Sequence, residues 1–469
     1  MNLTTPSDRA ARDLIAQRAL LERYDKSGPR YTSYPTALHF HEGFGPQDYA
    51  RHLAAAAQRP DPWAVYVHLP FCRQRCLFCA CNVIISPRKA QVADYLDDLR
   101  REVAMVAALI PGRRGVSQLH LGGGTPTFFS PEELAGVIDD LLGHFELEPG
   151  AEFSVEVDPR VTREAHLEAL VARGLNRISL GVQDLDAEVQ QAVNRTQSAE
   201  QLAALMRASR DLGIGSVNLD LIYGLPRQTP ESFARTLDQI VELAPDRLAV
   251  YGFAFVPWMK GHQKKLDEAE LPDRGLRFEL LALARARLAE AGYVDVGMDH
   301  FARPEDELAL AQRQGRLWRN FMGYTVCRAP DMLGFGISAI GDVQDAFVQN
   351  TTKLSRYREA VRAGLLPVER GYALQGDDKL RQVIIRELMC HGLVDKARVE
   401  ADFAIDFDAT FSQEIADLRP EVEEGLVELT DAHIRATDLG RLFLRNLAMP
   451  FDRTLSRDPS AGPRYSRTV

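Results

Sequence analysis

Four cysteines fall within ten residues, Cys72-x3-Cys76-x2-Cys79-x-Cys81, directly after the apolar run Ala64-Val65-Tyr66-Val67-His68-Leu69. Thiolates this close together either share a metal centre or are a liability in a reducing compartment. Three are enough for an incomplete iron-sulfur site. A 4Fe-4S cubane normally takes four thiolates, so three on one loop leave the fourth iron open to a small molecule. Zinc ligands come instead as two short pairs separated by roughly 12–20 residues, and one loop carrying all four cysteines matches that poorly. A disulfide framework is disfavoured because residues 1–14 are polar and charged, with no apolar core or cleavage site to direct export. Cys327 and Cys390 stand alone and read as ordinary buried thiols.

The elements that must position this loop are those of a soluble globular chain. Its 469 residues are 45% hydrophobic and 26% charged, enough for a large core and two or three domains. No run approaches the roughly 18 apolar residues of a membrane span, so the expected location is the cytoplasm. A net charge of -10 without a basic block argues against a nucleic-acid partner. Any anionic substrate must therefore meet locally concentrated cations.

From about residue 60, β-rich runs alternate with helical patterns. The strands expected are Ala64 to His68, Gln118 to Leu121, Glu152 to Val157, Arg177 to Leu180, Val217 to Tyr223, Leu248 to Phe253 and Val294 to Met298. Between them, Ser130-Pro131-Glu132-Glu133 opens a helix with a Ser cap, Pro at the first helical position and Glu at the third, followed by Leu134, Val137, Ile138 and Leu141 on one face. Further helical patterns cover 92–108, 163–172, 199–212, 231–243 and 274–289. Six or so βα units with nearly continuous apolar strands predict a parallel α/β sheet, an open or closed (βα) barrel over residues 61–345. Residues 1–60 form an arm whose Pro29-Arg30-Tyr31-Thr32-Ser33-Tyr34-Pro35-Thr36 suits an ordered extended segment. Residues 346–469 read as a mainly helical C-terminal domain, with helices over 379–390 and 411–424 and a strand at 426–430.

The chemistry-bearing residues follow strands, where parallel barrels place their sites. Gly122-Gly123-Gly124-Thr125 follows the second strand, Glu156-Val157-Asp158-Pro159 ends the third, Gly181-Val182-Gln183-Asp184 follows the fourth and Asp220 lies in the fifth. Each has a plainer reading. The glycines bring backbone N–H groups to a ligand, or simply make a tight turn. Glu156 bonds a ribose or amino group, or is a surface carboxylate. His300, in Met298-Asp299-His300-Phe301-Ala302-Arg303, acts on substrate or holds its own loop. Gln183, Arg195 and Asp220 gain interest only from their shared place at the mouth.

Together, the cysteine loop, the triple glycine and the parallel repeat resemble the radical S-adenosylmethionine superfamily. Within it the chain is similar, almost end to end, to the oxygen-independent coproporphyrinogen III oxidases. The resemblance runs through Ser27 to Thr36, His68-Leu69-Pro70-Phe71-Cys72, Gly122 to Thr127, Val155 to Arg160, Asp220-Leu221-Ile222-Tyr223-Gly224-Leu225-Pro226, Met298 to Arg303 and Tyr465-Ser466-Arg467. The arm discriminates, since haem-handling relatives share the cysteine loop but typically lack it.

The resemblance implies a partial radical S-adenosylmethionine barrel and a 4Fe-4S cluster held by Cys72, Cys76 and Cys79, with Cys81 kept but not used as a ligand. It implies S-adenosylmethionine contacts at Tyr66, Gly123, Glu156, Ala254 and Ile340, and a second S-adenosylmethionine among Phe78, Gly124, Thr125, Gln183, Arg195 and Asp220. The reaction implied is abstraction of hydrogen by a 5′-deoxyadenosyl radical from two propionates of coproporphyrinogen III, each then losing carbon dioxide to leave a vinyl group, in haem biosynthesis. An electron donor of the flavodoxin or ferredoxin kind and a monomeric state are implied as well. The substrate's carboxylates need cations at the mouth, for which Arg30, His300 and Arg303 are the candidates. These three and Tyr66 form the expected catalytic set. One departure stands out: Phe253-Ala254-Phe255 replaces the family's usual Tyr-Ala-His. It weakly favours an alternative, a haem-binding or haem-transferring relative without decarboxylase activity.

Overall fold

The computed structural model describes residues 18–86, 88–455 and 465–468; the segment 1–14, whose polarity argues against export, lies outside them. Twelve strands share one sheet: β1 Trp63–Leu69, β2 Gly115–Gly123, β3 Glu146–Val157, β4 Arg177–Gln183, β5 Ser216–Tyr223, β6 Arg247–Gly252, β7 Val294–Gly297, β8 His300–Ala302, β9 Asp331–Phe335, β10 Ile340–Val343, β11 Ala346–Asn350 and β12 Val368–Ala373. Their order is β12-β11-β10-β9-β1-β2-β3-β4-β5-β6-β8-β7. The seven central strands, β9 and β1 to β6, run parallel. In that order β7 and β12 lie at opposite edges, so the barrel is partial.

The central strands β1 and β9 are buried nearly throughout, as parallel strands covered by helices are, whereas β4 alternates buried apolar residues with partly accessible Arg177, Ser179, Gly181 and Gln183. In β1 only Tyr66 is not fully buried. The helices α1 Lys89–Leu109, α2 Pro131–Leu142, α3 Glu164–Val171, α4 Ala199–Asp211, α5 Pro230–Glu242 and α6 Arg274–Glu290 supply the cover. The expected cap of α2 is formed: Ser130 accepts from the Glu133 N–H at 3.2 Å while the Glu133 carboxylate accepts from the Ser130 N–H at 2.8 Å.

Three features depart from the sequence expectations. The chain turns back after β7, and His300 to Ala302 form β8, antiparallel to β6, so these residues are not in an open loop. Strand β9 has no counterpart among the expected strands, yet it pairs with β1 and completes the parallel set. From there β10, β11 and β12 extend the sheet by antiparallel hairpins. The βα alternation therefore stops before the sheet does, because hairpins need no helical crossover. Residue 345 falls in the turn between β10 and β11, and the mainly helical region starts after Ala373.

That region is built around α7 Asp378–His391 and a small sheet of Leu393–Asp395, Val427–Leu429 and His433–Ala436. The helix expected over 411–424 is broken into Ser412–Asp417 and Arg419–Glu423, with Pro420 in the first turn of the second piece. The arm is fixed to this region. Tyr31 and Tyr34 join its core, Ser27 bridges Arg467, and the buried Arg445 guanidinium donates to the Pro29 carbonyl at 2.9 Å and to that of Gly28.

Candidate functional site

The cysteine loop crosses the carboxyl-terminal ends of the central strands, bracketed by the paired two-residue strands Phe71–Cys72 and Ile84–Ile85. Its backbone is fastened at several points. The Leu77 N–H donates to the Val193 carbonyl at 2.9 Å and the Asn194 side chain to that of Arg75 at 2.9 Å. From the segment after β6, His262 donates to the Cys79 carbonyl at 2.8 Å, and the fully buried Gln263 donates to the carbonyls of Phe78 and Ala254 at 3.2 and 3.1 Å. Buried polar groups placed this way over-determine a loop that would otherwise be free to close on itself.

The thiols sit in an electropositive setting. The Cys76 sulfur is buried and accepts from Arg160 at 3.5 Å and Arg195 at 3.4 Å. Both guanidiniums also bind Asp158, at 2.6 and 3.2 Å, which holds that carboxyl below its usual range despite its burial. Arg195 further donates to the Gly181 carbonyl. Cys72 lies 3.3 Å from the Thr125 hydroxyl, and burial pushes its thiol up to about 11. Metal binding must reverse that and release the proton. Cys81 hydrogen-bonds the Cys79 thiol, lowering Cys79 and raising itself.

The donor set fits a cluster. Three thiols from one loop, two of them flanked by hydrogen-bond donors and one by two guanidiniums, can balance an anionic thiolate centre. Among the described residues no three His, Cys, Asp or Glu side chains are gathered closely enough to hold a single metal ion.

The glycines behave in part as expected. Gly123 has φ +116 and its N–H donates to Glu156 at 3.2 Å; that of Gly124 donates to the Leu69 carbonyl at 2.9 Å. Their N–H groups are thus already used. What glycine supplies here is room: a Cβ on Gly124 would stand 2.5 Å from the Pro70 carbonyl group.

Glu156 has a side chain 46% accessible, lining the open interior. Burial of its carboxyl would raise its pKa, but His120, 3.5 Å away, and the Gly123 N–H bring it below the usual value. Tyr66 stacks on His120 and bonds His68 at 3.0 Å, while His68 reaches the Asn82 carbonyl at 3.0 Å. Burial lowers His68, so its Nε2 carries the proton and Nδ1 accepts from the tyrosine. This relay ties the far end of the cysteine loop to β1.

Across the interior, Asp220 accepts from Ser179 at 3.0 Å and Asn218 at 2.8 Å; burial, with the nearby Glu156 charge, raises it to about 6. Gln183 closes β4 with φ +71, a conformation few side chains adopt, and its amide faces Gly181 beside Arg195. Phe78, Phe253 and Phe255 pack in one apolar cluster with Val189, Val193 and Leu266. Ile340 opens β10, its carbonyl tight against Gly334.

The expected cations are distributed differently. Arg30 enters the barrel side and pairs with Asp299, over the Tyr251 ring at 5.6 Å. His300 is packed edge-on to Tyr251 and Tyr324, and burial lowers it to about 4, so near neutrality it is no cation. Arg303 lies at the opposite end of the sheet, bonded to the Pro245 carbonyl at 3.1 Å ahead of β6. The antiparallel turn that makes β8 carries it there, away from the cysteines. Arg277 and Arg445, not singled out in the sequence, act with Arg30 on the buried Tyr223.

Comparison with known proteins adds the following. The radical SAM superfamily pattern matches residues 66–240, and the pattern described as HemN C-terminal domain matches residues 374–443. The oxygen-independent coproporphyrinogen III oxidase of Escherichia coli is 44% identical over 452 residues, 96% of this chain and 98% of its own. That of Pseudomonas aeruginosa is 43% identical over 453 residues with the same coverage. The solved structure of Escherichia coli coproporphyrinogen III oxidase (HemN), described as a radical SAM enzyme, superposes with TM-score 0.88 at 42% identity, covering 93% of this chain and 98% of that one.

Proposed function

The chain belongs to the oxygen-independent coproporphyrinogen III oxidases of the radical SAM superfamily, and on that premise we propose how its own residues carry out the reaction. The activity is oxidative decarboxylation of two propionates of coproporphyrinogen III to vinyl groups, giving protoporphyrinogen IX. A 4Fe-4S cluster and S-adenosylmethionine, when bound, supply the hydrogen-abstracting 5′-deoxyadenosyl radical.

Cys72, Cys76 and Cys79 hold the cluster, with Arg160 and Arg195 offsetting its thiolate charge. Glu156, ionised at neutral pH, takes the amino or ribose groups of S-adenosylmethionine beside Tyr66, Gly123, Ala254 and Ile340. Asp220, Gln183 and Arg195, with Phe78, Gly124 and Thr125, form the wall for a second molecule. Arg30 exchanges its Asp299 partner for a substrate carboxylate, and Arg277 and Arg445 add positive potential beside it. His300, neutral, orients rings and pairs with no anion. Phe253 and Phe255 keep water from the radical. We read the enzyme as a cytoplasmic monomer that receives electrons from a flavodoxin- or ferredoxin-type carrier, in keeping with the family. No helix among the described residues is long and apolar enough to cross a membrane.

The observation that carries the reading is the Cys76 sulfur set between two guanidiniums at a mouth whose other side bears Glu156 and Asp220. Full-length similarity to named oxidases disfavours the haem-transfer alternative. The test is an anaerobic assay with coproporphyrinogen III, S-adenosylmethionine and dithionite, scored for vinyl product. Intact cluster and S-adenosylmethionine cleavage without any decarboxylation would overturn the reading in favour of that alternative.

A further inference from the structure

The cysteine loop also borders clefts that lead toward α1 and α3. A cleft lined by Cys72, Arg73, Phe128 and Val161 adjoins a larger one that reaches Ile85, Lys89 and Arg163; the two share Arg73, Phe128 and Val161. A continuous path of surface thus leads from one cluster ligand to the exterior of the barrel, past the amino end of α1.

The charges there are unusual for this chain. Arg73, Arg88, Lys89 and Arg163 are exposed. Most other arginines in the fold are engaged with carboxylates or carbonyls, as Arg100 is with Asp97 and Asp140 and Arg173 with Asp139. Among the described residues no hydrogen bond or ion pair is found for these four side chains. Of the acids nearby, Asp158 is held by Arg160 and Arg195 and Glu133 by the α2 cap, Glu132 feels the Arg163 charge, and Glu164 is exposed beside Arg163. Arg73, Lys89 and Arg163 thus line one cleft with Ile85, 40% exposed and paired in register with Cys72, on a protein of net charge -10.

We infer that this face docks a small acidic one-electron carrier protein. The inference rests on the function proposed above, which consumes electrons, and it names the entry surface and the charge of the partner. Carboxylates on the carrier meet Lys89 and Arg163, and its reduced prosthetic group is brought against Arg73 and the Cys72 side of the loop. The carrier gives up one electron per encounter, a flavin hydroquinone becoming a semiquinone, and the thiolate-held centre takes it up. Steering by opposite charge raises the encounter rate and makes it sensitive to salt.

The test uses full-length protein and an acidic flavodoxin as probe. Binding of oxidised flavodoxin is measured by titration at low ionic strength and at about 0.15 M salt. The Lys89→Glu/Arg163→Glu variant should bind about tenfold or more weakly at low salt and lose most of its salt dependence. A Lys89→Gln/Arg163→Gln variant should fall between, and Arg435→Glu on the C-terminal sheet should bind as wild type. S-adenosylmethionine cleavage driven by dithionite should be unchanged in the Glu variant, whereas cleavage driven by reduced flavodoxin should fall with binding. Equal binding by wild type and the Glu variant, or no binding of flavodoxin by wild type, overturns the docking face. Failure of dithionite-driven cleavage in the wild type would instead strike the proposed function.

Discussion

At the amino-terminal ends of the strands Arg113 meets Asp331, Arg177 meets Glu152 and Arg247 meets Asp306, at 2.6, 2.9 and 2.8 Å. At the carboxyl-terminal ends the pairing is incomplete. Arg160 and Arg195 share the single carboxylate of Asp158, and one nitrogen of each also donates to the Cys76 sulfur, while among the described residues Arg160 Nη1 and Arg195 Nε are buried without a partner. Among the described residues Glu156 and Asp220 bond to neutral or weakly basic partners, His120, a backbone N–H, Ser179 and Asn218, with the Arg195 charge acting on Asp220 from farther off. The floor is also plugged, because Asn320 and Thr325 of a short hairpin bond Gln118 and Glu152. Charges closed into ion-pair networks, as Arg59 and Arg113 close on Asp331 and Arg247 on Asp306 and Glu307, complete a fold, while charges left in surplus await a ligand of opposite sign. The surplus here is positive beside the thiols and negative across the mouth, which suits an anionic thiolate cluster facing a cationic sulfonium.

The sharpest way to break this contrast is at the ligands. Cys72→Ala, Cys76→Ala and Cys79→Ala should each abolish iron incorporation and S-adenosylmethionine cleavage, whereas Cys81→Ala should keep the iron-sulfur chromophore. Iron counts and visible spectra after anaerobic reconstitution decide it. Equal loss in Cys81→Ala would mean that all four thiols serve. Next in size is Gly124→Ala. Its new methyl would press on the Pro70 backbone, which cannot yield without moving the start of the cysteine loop. Cluster content should fall several-fold while the far-ultraviolet circular dichroism stays native.

Much of this architecture is legible in the amino-acid sequence. The parallel strands and their helices announce themselves as apolar runs and caps, and the cysteine loop by its spacing. What stays hidden depends on contacts remote in sequence. Arg160 and Asp158 stand together in the chain, yet their sharing with Arg195 follows from where β3 and the segment after β4 meet. Gln263 looks like any surface amide until the chain after β6 folds back over Phe78. Arg303 reads as a mouth residue because three residues of antiparallel strand leave almost no periodic signal, and the turn at Met298, φ +49, reverses the direction. Strand β9, only five residues long and containing Gly334, is hidden in the same way.

Breaking one pair at each end sharpens the comparison in smaller steps. Arg113 and Asp331 have side chains 3% and 0% accessible. Arg113→Ala leaves the buried Asp331 only the more exposed Arg59, 3.3 Å away, and also removes the bonds to the Ala56 and Asp61 carbonyls, so it should cost about 3 kcal/mol of unfolding free energy, with iron per folded molecule unchanged. Arg195→Ala leaves Asp158 its Arg160 partner, so the stability loss should be smaller. The cluster beside Cys76 should lose a cationic neighbour, and its reduction potential should become more negative. Chemical denaturation and redox titration of both variants separate the roles. Equal potentials in Arg195→Ala and wild type would make Arg195 a floor-type residue placed at the mouth.

The smallest effect is read in pH. Asp220 is raised to about 6 by burial and by the charge of Glu156, while an unfolded Asp titrates near 4. The folded protein therefore binds the proton more tightly than the unfolded chain, and this carboxyl contributes stability that is present below about pH 4 and lost as pH rises through about 6. His300 acts with the opposite sign in nearly the same window. Burial lowers it to about 4, so its contribution is present above its ordinary value of roughly 6.5 and lost as pH falls toward 4. The two slopes mask each other in the wild type. In Asp220→Asn, which keeps the shape, the stability relative to wild type should climb between about pH 4 and 6 by on the order of 2 kcal/mol, then level off. In His300→Phe the relative stability should instead be highest near pH 4 and decline toward about 6.5. Urea unfolding at closely spaced pH values resolves the two curves. A flat Asp220→Asn difference would mean that the mouth neutralises its carboxylates as fully as the floor does, and the contrast between the two ends would fall.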